Sequence, residues 1–230
     1  MGADPAPQGP RRGDAETRRR GEGTLRNAVP ASPPPRVPAS PRPLQRPAAF
    51  LDRDGVIIEN RPDYVKCWEE VRFLPGALAA LRRLAASHLA VVIVSNQASI
   101  GRGLLAAAAA WEIHRRLVAE IERHGGRIDA SYFCPHRPES GCDCRKPAAG
   151  MLHQAAAELD LDVRHSWMVG DALSDLQAAR AAGARAVLVR TGRGAQQEAL
   201  LSTPGAADWS VVPDLPAAVD HILRALDPRI

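Results

Sequence analysis

Asp52 and Asp54 stand two residues apart at the end of the apolar run Ala48–Leu51, and Gly55 follows them. A run of that kind reads as a short buried strand, and side chains two apart on an extended segment point the same way. The two carboxylates can therefore converge on one small volume, and the glycine lets the chain turn sharply beyond them. Two carboxylates so close repel unless a cation lies between them or one keeps a proton. A divalent cation makes an oxygen-ligand site, and a proton makes a nucleophile beside an acid. Taken alone, the same residues also describe a solvated turn. They are not alone, because Ser95, Lys146, Asp171 and Asp175 each follow an apolar run or an adjoining loop. An acid pair, a hydroxyl, a lysine and a second acid pair in that order form one constellation.

A second cluster is Cys134, His136, Cys142 and Cys144, all within eleven residues. Three thiolates and one imidazole make a closed tetrahedral Zn²⁺ set. The spacing, C-x-H and then C-x-C, is tighter than that of a zinc finger. Four protein ligands leave no position for water, so this zinc is expected to be structural. It would pin a loop that runs directly into Arg145 and Lys146. The fourth cysteine, Cys67, is remote and reads as an ordinary thiol.

The elements that must position these groups alternate from residue 48 onward. Strands are expected at 48–51, 89–94, 128–134, 167–169 and 186–189, with a short one near 209–212. Helices are expected from Pro75-Gly76 with Leu78, Leu81 and Leu84 on one face, and then at 106–124, 151–159, 173–182 and 215–226. A polar loop is expected from Ile57 to Leu74. This is the pattern of a doubly wound α/β parallel sheet, whose ligands sit beyond the carboxyl ends of the strands. The stretches between Asp52 and Ser95 and between Ser95 and Lys146 are used up by these elements, so no cap domain fits. Loops alone should roof the site: Asn60 to Tyr64, Ala98 to Gly103, and the Cys/His loop.

Residues 1–47 differ from the rest. They hold 11 of the 20 prolines and a net charge of +5, against +4 for the whole chain, so the remainder is close to neutral. The basic balance belongs to this segment, which has almost no large apolar residues and is expected to be a disordered extension of the 48–230 domain. No aromatics interleave with its arginines, so no base-stacking signal accompanies the charge. No apolar run approaches the ~18 residues of a membrane span. The clustered cysteines suggest metal rather than disulfides, which makes a cytoplasmic location the default expectation.

The motifs Asp52-Arg53-Asp54-Gly55-Val56, Val94-Ser95-Asn96, Lys146-Pro147 and Gly170-Asp171-Ala172-Leu173-Ser174-Asp175 resemble those of the haloacid dehalogenase-like phosphatases. The resemblance implies a phosphatase with Asp52 as nucleophile, Asp54 as acid and then base, and Ser95 and Lys146 on the phosphoryl group. It implies Mg²⁺ held by Asp52, the main-chain oxygen of Asp54, and Asp171, with Asp175 one helical turn further on as support. The Cys/His loop resembles the branch that holds the heptose-bisphosphate and histidinol-phosphate phosphatases. Asp63-Tyr64-Val65, Ser95-Asn96-Gln97, Gly101-Arg102-Gly103, Arg145-Lys146-Pro147 and Val189-Arg190-Thr191-Gly192 favour the heptose side. The short zinc loop, and Ala172 where some heptose enzymes carry a lysine, keep the histidinol-phosphate alternative open. The expected substrate is a small phosphorylated sugar contacted by Asn60, Tyr64, Asn96, Gln97, Arg102 and Arg145. A bisphosphate needs a cationic anchor away from the metal; Arg145 is the first candidate and Arg102 the second. No membrane or nucleic acid partner is expected, and the chain is expected to be a monomer. An idle scaffold tethered to nucleic acid by its basic arm is the distant alternative.

Overall fold

The computed structural model describes residues 45–202 and 209–226. Six parallel strands form one sheet in the order β3-β2-β1-β4-β5-β6. They are β1 (Ala48–Leu51), β2 (Ala90–Asn96), β3 (Ala130–Cys134), β4 (Trp167–Gly170), β5 (Arg185–Val189) and β6 (Ser210–Val212). The helices are α1 (Ala77–Ala85), α2 (Ala98–Gly101), α3 (Ala107–Arg123), α4 (Gly150–Leu159), α5 (Leu173–Ala182), α6 (Gly194–Glu198) and α7 (Leu215–Leu226).

The central strand shows why its sequence is apolar without alternation. Ala49 and Leu51 of β1 join the cluster formed with Leu81 and Leu84 of α1, Leu117 and Ile121 of α3, and Val219 and Ile222 of α7. Ala48 and Phe50 join the opposite cluster, with Met151 and Leu152 of α4 and Ala178 and Ala179 of α5. Successive side chains alternate between faces, so helices on both faces demand apolar residues throughout. β1 pairs with β2 on one side (Phe50 opposite Val92) and with β4 on the other (Leu51 opposite Val169). The chain winds outward to β3 and then returns to β4, so the direction of winding reverses between β1 and β4. A crevice opens at the carboxyl ends of the strands flanking such a reversal. Asp52 leaves β1 and Asp171 leaves β4 at that point.

The stretch Ile57–Leu74 is not the polar loop expected. Val56, Ile57 and Ile58 are fully buried, and Val65 and Val71 nearly so, all in the cluster of α1 and α3. Ile58 bridges both Asp54 and Phe73, which ties the segment under the crevice. The expected domain boundary at 48 is also late. Arg46 pairs with Asp129 at 3.0 Å, its carbonyl accepts from Asp162 N–H, and Gln45 donates to Asp160. The expectation about the extension falls mainly on residues 1–44, which lie outside the described residues. No helix among the described residues is long and apolar enough to cross a membrane.

Candidate active site

Asp52, Asp171 and Asp175 come together, each offering one oxygen within 4.8 Å of the others. All three are buried, with Asp171 fully so. Asp52 Oδ1 accepts from its neighbour's N–H (Arg53) at 2.7 Å and lies 3.2 Å from Lys146 Nζ. Lys146 Nζ also lies 2.7 Å from Asp175 Oδ1 and donates to the Val94 carbonyl at 2.7 Å. Asp175 takes the third position of α5, where its Oδ2 accepts the Ala172 N–H at 3.0 Å and so caps the helix. Arg193, just past β5, closes the far side. Its main-chain N–H and Nη2 reach the two oxygens of Asp171 at 2.9 and 3.1 Å.

Charge in this pocket is unbalanced. Burial raises the proton affinity of Asp171 in spite of Arg193. Burial, with the negative charge of Asp52, raises Asp175 to about 6 against the lowering influence of Lys146. Lys146 is itself held above the ordinary lysine value, because Asp175 and Asp52 outweigh the cost of burying its charge. Carboxylate oxygens with an excess of negative charge, at the edge of a cleft that can supply water, suit a hard divalent cation such as Mg²⁺. Two glycines make room for this cluster. Any side chain at Gly55 or Gly192, both at positive φ, would collide with the Asp171 carboxylate.

Asp54 does not join the three acids. Its carboxylate turns to Arg53, with Nε at 3.0 Å, and to Gln97 Nε2 at 2.9 Å. The expected convergence of the Asp52 and Asp54 side chains therefore gives way to one between Asp52 and the β4 acids. Ser95 Oγ accepts from Gln97 Nε2 at 2.9 Å, which leaves its own proton to donate.

Asp52, Asp54, Ser95, Lys146, Asp175 and Arg193 line one cleft of about 820 Å³, and Asp171, fully buried, is not part of its lining. Asn60, Tyr64 and Arg145 line it as expected, and so do Arg61 and Arg193, which the sequence had not singled out. Arg102 does not. It follows the short α2 and lies 3.9 Å from Glu139, in the turn between His136 and Cys142. Asn96 and Gln97 line the cleft too, but both ends of the Asn96 amide hold the main chain of Lys146, at 3.0 and 3.1 Å, and the Gln97 amide is engaged by Arg53, Asp54 and Ser95.

Cys134, His136, Cys142 and Cys144 form the second group. Their sulfurs and the His136 Nδ1 lie 3.2–3.6 Å apart along five edges. A tetrahedron with Zn–S bonds of ~2.3 Å has edges of about 3.8 Å, a few tenths of an ångström longer than these, so the quartet can hold zinc with a small expansion. The loop is stitched again where Gly150 N–H meets the Asp143 carbonyl at 3.0 Å.

The family model for haloacid dehalogenase-like hydrolase matches residues 39–180, and a second, for HAD-hydrolase-like chains, matches residues 143–218. The chain belongs to the haloacid dehalogenase-like hydrolases. It is 36% identical over 181 residues to the D-glycero-beta-D-manno-heptose-1,7-bisphosphate 7-phosphatase of Pseudomonas aeruginosa, covering 79% of this chain and all of that one. Among solved structures it is similar to the D,D-heptose 1,7-bisphosphate phosphatase of B. bronchiseptica complexed with magnesium and phosphate. That likeness has a TM-score of 0.73 at 38% identity and covers 78% of this chain and 99% of that one. The D,D-heptose 1,7-bisphosphate phosphatase of Burkholderia thailandensis gives 0.60 at 33%, covering 77% and 99%. Both likenesses agree with the parallel α/β architecture.

Proposed function

We propose that this chain is a Mg²⁺-dependent phosphatase that removes the 7-phosphate of D-glycero-D-manno-heptose 1,7-bisphosphate. The observation that carries the reading is the makeup of the cleft at the carboxyl ends of the strands. Asp52, Ser95 and Lys146 stand on its floor, and Arg145 lines it with no carboxylate paired to it among the described residues. The relatives' names supply the sugar.

The residues divide the work as follows. Asp52 attacks the phosphorus, and Oδ2 is its oxygen without a protein donor among the described residues. The ester oxygen leaves and takes a proton from Asp54. Asp54 then takes a proton from water as water attacks the aspartyl-phosphate and releases Asp52. Ser95 donates to a phosphoryl oxygen. All three donors of Lys146 have partners, and the contact to Asp52 is the longest, so that one is shared with the phosphoryl group. Asp52, the Asp54 carbonyl and Asp171 would hold Mg²⁺, which supplies charge neutralisation for the dianionic ester. The Cys/His quartet would hold a structural zinc.

A ligand with an ammonium, such as histidinol phosphate, calls for acid at the rim. Outside the catalytic group the cleft lining has one acid, Asp143, against Arg61, Arg145 and Arg193; Arg61 is paired with Asp63 and Arg193 with Asp171, which leaves Arg145 without a carboxylate partner among the described residues. That balance favours a bisphosphate. Steady-state kinetics on both substrates, side by side, is the test; a higher kcat/KM for histidinol phosphate overturns the substrate assignment.

Arg145→Ala probes the remote phosphate. Its Nη1 holds only the His136 carbonyl, at 3.2 Å. Losing one charge-assisted contact costs about 1.5–3 kcal/mol, roughly ten- to a hundredfold in kcat/KM on the bisphosphate. On p-nitrophenyl phosphate, with one phosphate, the change should be small. An equal loss on both substrates would place Arg145 at the common phosphoryl site instead.

Residues 1–44 carry none of these groups, so their removal should leave activity and Tm unchanged. Cutting through Arg46 should lower stability by up to about 1 kcal/mol, the scale of an exposed ion pair. A large activity loss on the shorter deletion would show that the extension serves the site.

A further inference from the structure

Arg53 lies between Asp52 and Asp54 in sequence, and of these two carboxylates its side chain pairs with that of Asp54. The residue is 3% exposed. Its guanidinium spans both carboxylate oxygens, Nε to Oδ2 at 3.0 Å and Nη2 to Oδ1 at 3.1 Å. Nη2 also donates to Gln97 Oε1 at 3.0 Å. The amide of Gln97 returns to the same carboxylate, its Nε2 donating to Asp54 Oδ2 at 2.9 Å and to Ser95 Oγ at 2.9 Å. Asp54, Arg53 and Gln97 thus close a ring that reaches the phosphoryl-binding serine.

The back of the ring is apolar and uncharged. The Phe133 ring lies 5.9 Å from the Arg53 guanidinium carbon, and His114 stands edge-on to Phe133 at 4.6 Å. Burial, and then the positive charge of Arg53, hold His114 down to about 4, so it is neutral at pH 7. Asp54 is the one carboxylate paired with Arg53 among the described residues. A desolvated guanidinium with a single acid partner does not give that partner up cheaply, and a two-point contact fixes the carboxylate's plane as well as its position.

We propose that Arg53 and Gln97 are positioning residues, a buried clamp that fixes the Asp54 carboxylate for proton transfer and acts through it rather than on the substrate. The inference rests on the acid–base role given to Asp54 above, and it takes Gln97 out of the expected substrate contacts. It makes the two half-reactions differ. In the first, Asp52 forms the P–O bond, the ester P–O bond breaks, and an alkoxide leaving group must receive a proton from Asp54. A p-nitrophenolate leaving group departs without one. In the second, water attacks phosphorus, the bond to Asp52 breaks, and ionised Asp54 must accept the water proton; after aryl transfer, which does not use the Asp54 proton, that proton first passes to solvent.

The test is rapid mixing of Arg53→Met with p-nitrophenyl phosphate and Mg²⁺, followed by acid quench and mass analysis of the protein. The expected result is a first turnover near the wild-type rate. A steady state slower by about 100-fold, the scale for a misplaced catalytic group, should follow, with a phosphoryl adduct accumulating on Asp52. On the alkyl bisphosphate the first turnover should itself fall about 100-fold. Gln97→Met gives a second, uncharged disruption of the same ring and should show the same split if Arg53→Met fails to fold. An aryl first turnover that falls as far as the steady state overturns the clamp, because the residues then support Asp52 or the fold at large. Unchanged rates in both phases overturn it too. Wild-type protein without Mg²⁺-dependent turnover or adduct would instead defeat the phosphatase reading beneath it.

Discussion

Asp52→Asn should abolish turnover and leave the fold in place. The amide is no nucleophile, so the expected loss is about 10⁵–10⁶-fold, the scale for removing a covalent nucleophile. Asp54→Asn removes an acid–base partner only and should cost about 10²–10⁴-fold. The fold survives because the groups around Asp52 keep other partners. Lys146 retains Asp175 at 2.7 Å and the Val94 carbonyl at 2.7 Å, and the Asn oxygen can still accept the Arg53 N–H. The substitution also removes a negative charge from a pocket that already holds Asp171 and Asp175. Circular dichroism and Tm should therefore match wild type, and no phosphoryl adduct should appear after acid quench. Residual turnover above about one part in a thousand, with an adduct elsewhere, would remove Asp52 from its role.

The centre of the sheet was legible because β1, β2 and β4 are buried on both faces and read as apolar runs with a polar residue following at the crevice. Helices α5 and α7 match the expected spans, 173–182 and 215–226, since their apolar spacing runs for several turns. Helices α2 and α6 span four and five residues, too short for a helical period to show. The stretch after Gly55 has apolar residues at neither period, and its burial under the crevice follows from tertiary packing alone. At the site, residue type was readable where the chemistry permits few substitutes, as with the acids, the lysine and the Cys/His quartet. Direction was not. Asn96 and Gln97 are adjacent amides beside a serine, and nothing local distinguishes them. One grips the main chain of Lys146, fifty residues away, and the other grips Asp54. Arg53 carries no local signal either, since on a continuing strand its side chain would point away from those of Asp52 and Asp54. The chain leaves β1 at Leu51, so that rule no longer holds there. Arg193 meets Asp171 only because β5 lies beside β4.

Zinc should be present at one ion per chain, retained through mild EDTA treatment that removes Mg²⁺ and stops turnover. Four ligands from one short loop, three of them thiols, enclose the ion, whereas Mg²⁺ keeps waters and exchanges readily. Cys144→Ser should release the zinc and lower Tm, but not unfold a domain whose apolar clusters lie on both faces of its sheet. The effect on activity should be uneven, and the structure says in which direction. Lys146 has anchors that owe nothing to zinc: the Asn96 amide on its main chain and the Val94 carbonyl on its Nζ. The guanidinium of Arg145 reaches only the His136 carbonyl, which belongs to a zinc ligand. Loss of zinc should therefore free Arg145 first. For the bisphosphate, kcat/KM should fall roughly ten- to a hundredfold, as for Arg145→Ala, because the same charge-assisted contact is lost. Turnover of p-nitrophenyl phosphate should fall much less. Combining Cys144→Ser with Arg145→Ala should add little on the bisphosphate beyond either change alone, since both remove one interaction. Metal analysis without zinc, or a Cys144→Ser enzyme equally impaired on both substrates, would break the link between the quartet and the rim of the cleft.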